Sequence, residues 1–577
     1  MTLFYACSES TLRSLLHEAM KVTSSLQYAI NARRPIFTLP TELFNHIIED
    51  IMPTTVPIGS SKIDQFWRPL FRDSTALLPV SQTCRHFRQI ALAHSEWWTT
   101  LSSPRLKHYP VCTANSWPLS FTVVACPEGE TDVFEVFNDT TASRIEEVHA
   151  VRCNGAVMRG VRNLFSMDAR APALKALTCI STTDDRVHPF TLIPDRIWAL
   201  KQLVLDRVEF WFYGTEPYQI PSITHLVLAG SSASHRNIAQ LLGSCPNLQT
   251  LVLSELSARA DGVVPSTPFP LSTRIRRVTL HDLRHSTLEF YLALIRPRTD
   301  GRMALQILNE QVHHHQFQYE PLIEQRLHGK TTRLRIGVFT DTASFYRFSV
   351  TLASRANAVR FASTASNLAS SRYVRPDAWL SRLLDVDVAD LSDVHEAWLF
   401  NTTAPFTVYL TTFQVAVRSA MSALSALETL TLVTVDHPND GPGNVLWPDI
   451  SVVPTTDDSE WGCHRLKTLR MVHYDALPPR AQGDPNVFKF ERPPIKMEFA
   501  RMLVNLGLGG YGYLERLVVQ ASPRFEIDEK EVEALRKHFK SVVVERIVEL
   551  PQMPLPPVCV GPDDGPGGRD SWTTTHY

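Results

Sequence analysis

A short pattern of apolar and polar positions recurs along most of the chain. It runs apolar-x-x-apolar-x-apolar, and from about residue 140 its clear copies begin 29, 26, 23, 25 and 27 residues apart by direct count. Each copy predicts a strand of about three to five residues, because alternate side chains of a strand point to one face of a sheet. The copies are Ile145/Val148/Ala150, Leu174/Leu177/Cys179, Leu200/Leu203/Leu205, Ile223/Leu226/Leu228, Leu248/Leu251/Leu253 and Ile275/Val278/Leu280.

The pattern continues less regularly towards the C-terminus. Weaker copies lie at Leu305/Ile307, Leu334/Ile336 and Val359/Phe361, and four more start at residues 394, 427, 466 and 514, which are 33, 39 and 48 residues apart. Apolar residues at helical spacing predict return helices over residues 235–242, 287–295, 412–424 and 497–506. Repeated strands and helices predict an α/β fold over residues 140–548, with inserted loops in its second half.

The N-terminal part carries helical patterns instead. Residues 1–37 predict an amphipathic helix that packs on the segment after it, because charged residues interrupt its apolar spacing. In residues 39–51, Pro40 suits a first helical turn, and apolar residues then recur at helical spacing: Leu43, Phe44, Ile47, Ile48 and Ile51. Residues 79–98 form a second apolar stripe, beyond an insert over residues 53–77. Neither helix is long enough to be stable alone, so residues 38–110 are predicted to form one all-helical module.

The C-terminal segment has a different composition. From Leu550 it reads LPQMPLPPVCVGPDDGPGG and then becomes polar up to Tyr577. Segments rich in Pro and Gly bury too little apolar surface to offset the entropy of ordering. Residues 549–577 are therefore predicted to be a disordered tail.

Composition limits the possible partners and compartments. The hydrophobic fraction of 44% and charged fraction of 20% are typical of a folded protein, and 57 basic against 59 acidic residues give a net charge of 57 − 59 = −2. This balance favours neither nucleic acid nor an anionic membrane as a partner. Nine cysteines without a CxxC pair indicate a reducing compartment. With no apolar window of eighteen residues, we expect a cytoplasmic or nuclear protein.

Three motifs hint at chemistry without supplying its context. The Gly507-x-Gly509-x-x-Gly512 motif follows a helical pattern, whereas dinucleotide binding needs the motif after a strand and before a helix. Gly329-Lys330-Thr331 is similar to the end of a phosphate-binding loop, but the position of the required upstream glycine holds Glu324. The three histidines of residues 313–315 have no accompanying ligand spacing for a metal. We therefore expect no catalytic site, metal or cofactor.

The helical module resembles the F-box, which docks substrate receptors onto the Skp adaptor of cullin-based (SCF) ubiquitin ligases. The resemblance rests on Leu39-Pro40-x-Glu42-Leu43, the Ile47-Ile48 pair, the Val80-x-x-x-Cys84-Arg85-x-Phe87 segment and Trp97-Trp98, and the insert is similar to those of fungal members. It implies contact with a Skp-type adaptor and a cullin ligase. The adaptor-binding residues it implies are Leu39, Pro40, Leu43, Ile47, Ile48, Val80, Cys84, Phe87 and Trp98.

Residues 241–253 resemble the leucine-rich repeats that follow F-boxes. The repeat spacing falls in the range of such repeats, which stack into a solenoid with one continuous core. The consensus ladder position holds residues such as Val208, Leu256 and Tyr474, so we expect an irregular solenoid. An ordinary doubly wound α/β domain would give a similar alternation of strands and helices.

Strand alternation predicts which residues face a target protein. The residues between the paired apolar positions should point to the concave face of the solenoid, where Val204, Val227 and Val252 would form an apolar stripe. Two readings of the stripe remain open: a ligand site, or strands covered by a loop, by the tail or by a second layer. Trp398, with Arg470, is the favoured target anchor, because exposed aromatic side chains often carry binding energy.

These features favour one function over two others. The resemblance implies a substrate-recognition subunit of an SCF-type ligase, with the F-box on the adaptor and the repeats on an unknown target protein. A repeat scaffold that binds proteins without a ligase is the first alternative. A hydrolase or nucleotide-dependent enzyme is the second, and it lacks a convergent site in the sequence.

Overall fold

The protein is described by a computed structural model that divides into two compact units. The first comprises residues 1–213 and the second residues 214–564 with 569–577. The division falls inside the predicted repeat region, so the helical module and the first strands share one unit. The structure describes residues 8–31, 33–34, 39–52, 74–102, 109–125, 142–153, 155–164, 172–181, 190–192, 197–212, 219–256, 274–295, 302–309, 331–342, 345–366, 391–401, 417, 421–436, 463–475, 494–497, 512–559 and 572.

The first unit begins with helices. They are α1 (Glu9–Asn31), α2 (Thr41–Ile51), α3 (Leu77–Thr83), α4 (Arg85–Ala93), α5 (Tyr109–Asn115) and α6 (Gly155–Leu164). Pro40 precedes α2 with extended backbone, and the Cys84 thiol caps α4 by accepting from the backbone N–H of Phe87. The predicted N-terminal helix is confirmed, but its predicted packing is not, because Leu16, Leu26 and other apolar side chains of α1 are exposed.

The first unit also contains a parallel sheet, whose strands begin after α4 and alternate with α5 and α6. Its strands are β1 (Thr100–Ser102), β2 (Phe121–Ala125), β3 (Ile145–Cys153), β4 (Ala176–Ser181) and β6 (Gln202–Asp206), paired in that order. The short strands β5 (Phe190–Leu192) and β7 (Phe210–Phe212) pair separately. The sheet starts before residue 140, so the predicted start of the strand region is wrong by two strands.

The second unit contains a larger and mostly parallel sheet. Its strands are β8 (His225–Ala229), β9 (Thr250–Ser254), β10 (Arg277–His281), β11 (Ala304–Asn309), β12 (Arg333–Thr342), β13 (Phe345–Ala353), β14 (Ala358–Ser366), β15 (Glu396–Asn401), β16 (Thr429–Asp436), β17 (Thr468–Asp475), β19 (Arg516–Ala521) and β21 (Ser541–Arg546). They pair in the order β8–β9–β10–β11–β14–β13–β12–β15–β16–β17–β19–β21. The α/β class with a large, mostly parallel sheet is thereby confirmed.

Helices and a small second sheet complete this unit. The helices are α7 (His235–Ser244), α8 (His285–Leu294) and α9 (Glu529–Arg536), and β18 (Ile495–Met497) pairs with β20 (Phe525–Ile527). The first two helices confirm the predictions for residues 235–242 and 287–295. Of the predicted helix at 412–424, residues 417 and 421–424 are described, and residues 417, 421 and 422 are helical. The predicted helix at 497–506 lies outside the described residues except for Met497, which ends a strand. The insert up to residue 73, the triple histidine and most of both glycine motifs also lie outside them.

One departure from a simple repeat lies in the middle of the larger sheet. Strand β13 runs antiparallel between β12 and β14, so that β11 pairs with β14 and β12 pairs with β15. The weak copies at Leu334 and Val359 are therefore the two outer strands of one antiparallel insertion. They are not consecutive strand–helix units.

The strand register explains the sequence pattern. In successive strands the paired apolar positions align, as Leu226, Leu251 and Val278 do, and so do the second members of each pair. Both rows are buried. The intervening residues point to the opposite face, and on β12, β15, β16 and β17 they are Arg335, Trp398, Thr431 and Arg470.

Candidate functional site

One side of α2 presents an apolar row to solvent. Leu39, Leu43, Ile47 and Ile51 are all exposed, and their four-residue spacing places them along one side of the helix. Pro40 at the start of the helix is also exposed. We call these five residues the α2 surface. Contiguous apolar side chains in water are typical of a surface that binds another protein.

The other side of α2 holds the helical module together. Phe44, Ile48 and Met52 are buried, and the Phe44 ring lies 4.6 Å from that of Phe87 between centroids. Ile48 is 1% exposed beside Ile47 at 41%, so neighbouring residues face opposite sides. The resemblance to the F-box predicted that Ile47 and Ile48 would both contact the adaptor. Ile48 is corrected to a core position.

The remaining predicted adaptor residues lie mainly inside the module. Trp98 is fully buried, and its indole N–H donates to the carbonyl of Ala91 at 2.8 Å, so it too is corrected to a core role. Val80, Cys84 and Phe87 are half-buried. The sequence could not separate the two sets, because core and surface residues of a short helix share the same apolar character.

The predicted apolar stripe is not open to solvent. Val204 in the first unit, and Val227 and Val252 in the second, are all buried. Val227 and Val252 are neighbours across β8 and β9, as predicted. Their burial corrects the expectation of a solvent-facing stripe and agrees with the reading of a covered face.

Trp398 is buried rather than exposed. Its side chain is 1% exposed and stacks on Phe400, with 6.0 Å between ring centroids. The Arg470 guanidinium, on a half-buried residue, lies 5.8 Å above the Trp398 ring, and the indole N–H donates to Glu396 at 2.9 Å. The prediction of an exposed anchor at Trp398 is wrong.

The C-terminal segment covers Trp398. We call residues 547–559 together with Trp572 the strap. Met553, Cys559 and Trp572 are buried in one cluster with Trp398 and Phe400, and Ile547, Leu550, Leu555 and Val558 are partly buried against it. The prediction of a disordered tail is therefore wrong for these residues. The sequence signal was the set of apolar side chains between the prolines.

Three arginines of the sheet hold the strap by its backbone. Arg277 on β10 donates to the carbonyl of Val558 at 2.9 Å, and Arg333 on β12 donates to that of Pro554 at 3.2 Å. Arg360 on β14 donates to the carbonyl of Trp572 at 2.8 Å. Its guanidinium also lies 4.8 Å from the Trp572 ring centroid, in a cation–π contact. Charged donors make such hydrogen bonds stronger than neutral ones.

The strap does not fill the space beneath it. A cavity of about 470 Å³ is lined by Arg335, Gln552, Met553, Pro554, Leu555, Pro557 and Trp572. The Arg335 side chain is buried, and its guanidinium lies 4.0 Å from the Phe400 ring centroid. Apolar walls with one cation are typical of a site that accepts a ligand group.

Chemistry of a catalytic kind is not evident in the part of the chain that is described. Burial raises the pKa of the Cys245 and Cys463 thiols to about 12, so both are protonated at neutral pH. Within the described ranges, no three His, Cys, Asp or Glu side chains are grouped as a metal site would need. Nor does any helix described here combine the length and apolarity of a membrane crossing.

Comparison with known proteins does not assign this chain to a family. No family model matches it, and a search of curated proteins finds no similar sequence. The function is therefore argued from the α2 surface and from the face of the sheet beneath the strap, which we call the strap face.

Proposed function

We propose that the protein is the substrate-recognition subunit of an SCF-type cullin ubiquitin ligase. In this role residues 38–110 are an F-box that binds a Skp-type adaptor, and the sheets are leucine-rich repeats that bind a target protein. The observation that carries the proposal is the α2 surface. It leaves apolar side chains in water on a helix whose opposite side is fully packed.

The strand pattern supports the repeat part of the proposal. Parallel strands in sequence order, with two aligned apolar rows per strand, are what a stack of leucine-rich repeats requires. The antiparallel insertion at β13 fits an irregular member of such a class. Stacked repeats give a wide surface for a protein target.

The chain itself would perform no chemistry in this role. A receptor accelerates ubiquitin transfer by holding a target lysine near the charged conjugating enzyme, which raises its effective concentration. This mechanism requires no cofactor in the chain. It places the protein in the cytoplasm or nucleus, where cullin ligases act.

Adjacent residues of α2 provide the test. We expect Ile47→Asp to weaken capture of a purified Skp-type adaptor at least about thirtyfold, because a buried interface anchor contributes about 2 kcal/mol or more. Replacing Leu39 and Pro40 together by Ala should act in the same way. These variants should melt as the wild type does, because their side chains are already exposed.

Ile48→Ala is the matched control. It removes a core side chain and should lower the stability of the helical module by about 2–5 kcal/mol, while any folded fraction still binds the adaptor. Full adaptor binding by Ile47→Asp would contradict the F-box assignment. The scaffold alternative would then be favoured, since it needs the sheets but no adaptor.

A further inference from the structure

We propose that the strap face is a groove that binds an uncharged, proline-rich segment of a target protein. The strap occupies this groove until such a segment displaces it. The identity of that segment as a target rests on the proposed function. The groove itself rests only on the contacts of the strap.

The groove recognises backbone more than side chains. Arg277, Arg333 and Arg360 each donate one hydrogen bond to a main-chain carbonyl of the strap. Arg333 and Arg360 also donate to Glu396 and Thr351 on the sheet, which hold the two guanidinium groups in position. Carbonyls are present in every peptide, and proline keeps its carbonyl while lacking an N–H that would need a partner. The donors therefore accept a proline-rich segment without reading its sequence.

Side-chain selectivity comes from a few anchors. Met553 and Cys559 are buried on the sheet, and residues 550–559 contain no charged side chain. Four of these ten residues are proline, counted directly. A proline-rich chain is already extended in solution, so binding costs it less entropy than it costs an ordinary loop. The matching ligand is therefore apolar, uncharged and extended.

The geometry requires an extended chain. Arg277 lies on β10, nine strand positions from β21 in the order of pairing, or about 43 Å at ~4.8 Å per strand. From Arg546 at the end of β21 to Val558 is 558 − 546 = 12 residues. These would span about 37 Å at ~3.1 Å per residue in a polyproline conformation. The strap also bends at residues 548–549 and turns at residues 557–559, where the backbone N–H of Cys559 donates to the carbonyl of Pro556 at 2.8 Å. The residues between these two bends must therefore be extended.

The strap is an incomplete occupant of the groove. The cleft of about 470 Å³ beside Arg335 is open to solvent on one side, and its walls include Pro554, Leu555 and Pro557, which are exposed or only partly buried. Removing such apolar surface from water is favourable. A peptide with a larger apolar side chain at this point would gain contacts that the strap does not make. This makes exchange possible.

Covalent attachment keeps the strap in place in the absence of a competitor. A tethered ligand acts at an effective concentration on the order of millimolar. A free peptide of equal intrinsic affinity therefore competes with the intact strap only at millimolar concentration, and binds at lower concentration only when the tethered copy is weakened. This gives the proposal a direct test.

The probe is a fluorescein-labelled synthetic peptide with the sequence of residues 550–559, which contains no charged side chain, and the readout is fluorescence anisotropy. In the full chain, Met553→Ala with Trp572→Ala loosens the strap and should lower the apparent Kd of the peptide at least about thirtyfold relative to wild type. Adding Arg277→Ala and Arg333→Ala should reverse at least about tenfold of that gain. Val548→Ala, at a strap position 84% exposed, is the matched control and should bind as wild type does.

Several outcomes would overturn the proposal. One is a folded, loosened chain that does not bind the peptide; another is tighter binding of an acidic peptide of equal length. If the loosened chain fails to fold, the same peptide carrying a benzophenone at the position of Met553 is added at millimolar concentration to the unaltered chain. Cross-links on β12 and β15 support the groove, and their absence there refutes it.

The experiment separates this proposal from the proposed function. Ile47→Asp in the loosened chain should leave peptide binding unchanged, because α2 takes no part in the groove. Peptide binding with no adaptor capture would therefore support the groove and contradict the F-box. Adaptor capture with no peptide binding would support the F-box and contradict the groove.

Discussion

A buried histidine makes the second unit sensitive to acid. His473 on β17 is 1% exposed and lies beside the ring of Phe525, with 5.8 Å between centroids. Burial lowers the pKa of His473 from 6.5 to about 3, because the charged imidazolium loses its hydration there. The perturbation to test is a fall in pH from 7.5 to 5.0.

The sign of the effect follows from proton uptake. Above pH 6.5 the imidazole is neutral in both folded and unfolded chains, so its contribution to stability is fully present. Between pH 6.5 and pH 3 only the unfolded chain takes up the proton, and stability is lost as the pH falls. At pH 5.0 the loss is about 1.36 × 1.5, or about 2 kcal/mol, and near pH 3 it approaches about 5 kcal/mol.

The assay compares the wild type with His473→Gln, which cannot titrate in this range. Denaturant titrations at pH 7.5 and 5.0 give, for each protein, the fall in free energy of unfolding between the two pH values. Protonation of the other histidines contributes equally to both proteins and cancels when the two falls are subtracted. We expect the wild type to lose about 2 kcal/mol more than the variant. Equal losses would refute the reasoning and show that His473 is protonated in the folded protein.

Two further predictions concern the cluster beneath the strap. Trp398→Ala should lower the free energy of unfolding by about 3–5 kcal/mol in a denaturant titration, since it removes a large buried ring; an unchanged midpoint would contradict the burial of Trp398. Limited digestion with a protease of broad specificity, followed by mass spectrometry, should leave residues 551–559 intact in the wild type and cleave them early in Trp572→Ala. Early cleavage in both proteins would mean that the strap does not hold its position in solution.

Local periodicity was sufficient to locate most strands. Leu226 and Leu228 fix the register of β8, because a one-residue shift would move both to the opposite face of the sheet. The same reliance on periodicity explains why the antiparallel insertion at β13 was not predicted. Its Phe348, Val350 and Leu352 satisfy the alternation of any strand, and periodicity carries no information on strand direction.

Long-range contacts were beyond the sequence reasoning. Composition predicted a disordered tail because prolines and glycines dominate it, and the apolar side chains between the prolines did not show where they would be buried. Its order comes from arginines on strands far back in the chain and from a surface that already contains Trp398. Similarly, nothing local distinguishes Ile47 from Ile48. The difference depends on which side of α2 the following helices cover.

The strap also has a consequence for folding during synthesis. The bond between Arg277 and Val558 joins residues 281 positions apart, and the strap is translated after every strand that it covers. Until then the face around Trp398 and Phe400 is open, and an uncovered apolar sheet is prone to aggregation. Neighbouring strands can pair as they emerge, whereas contacts of such long range form slowly. The interval between the emergence of β15 and that of residue 559 is therefore when the nascent chain most needs a chaperone.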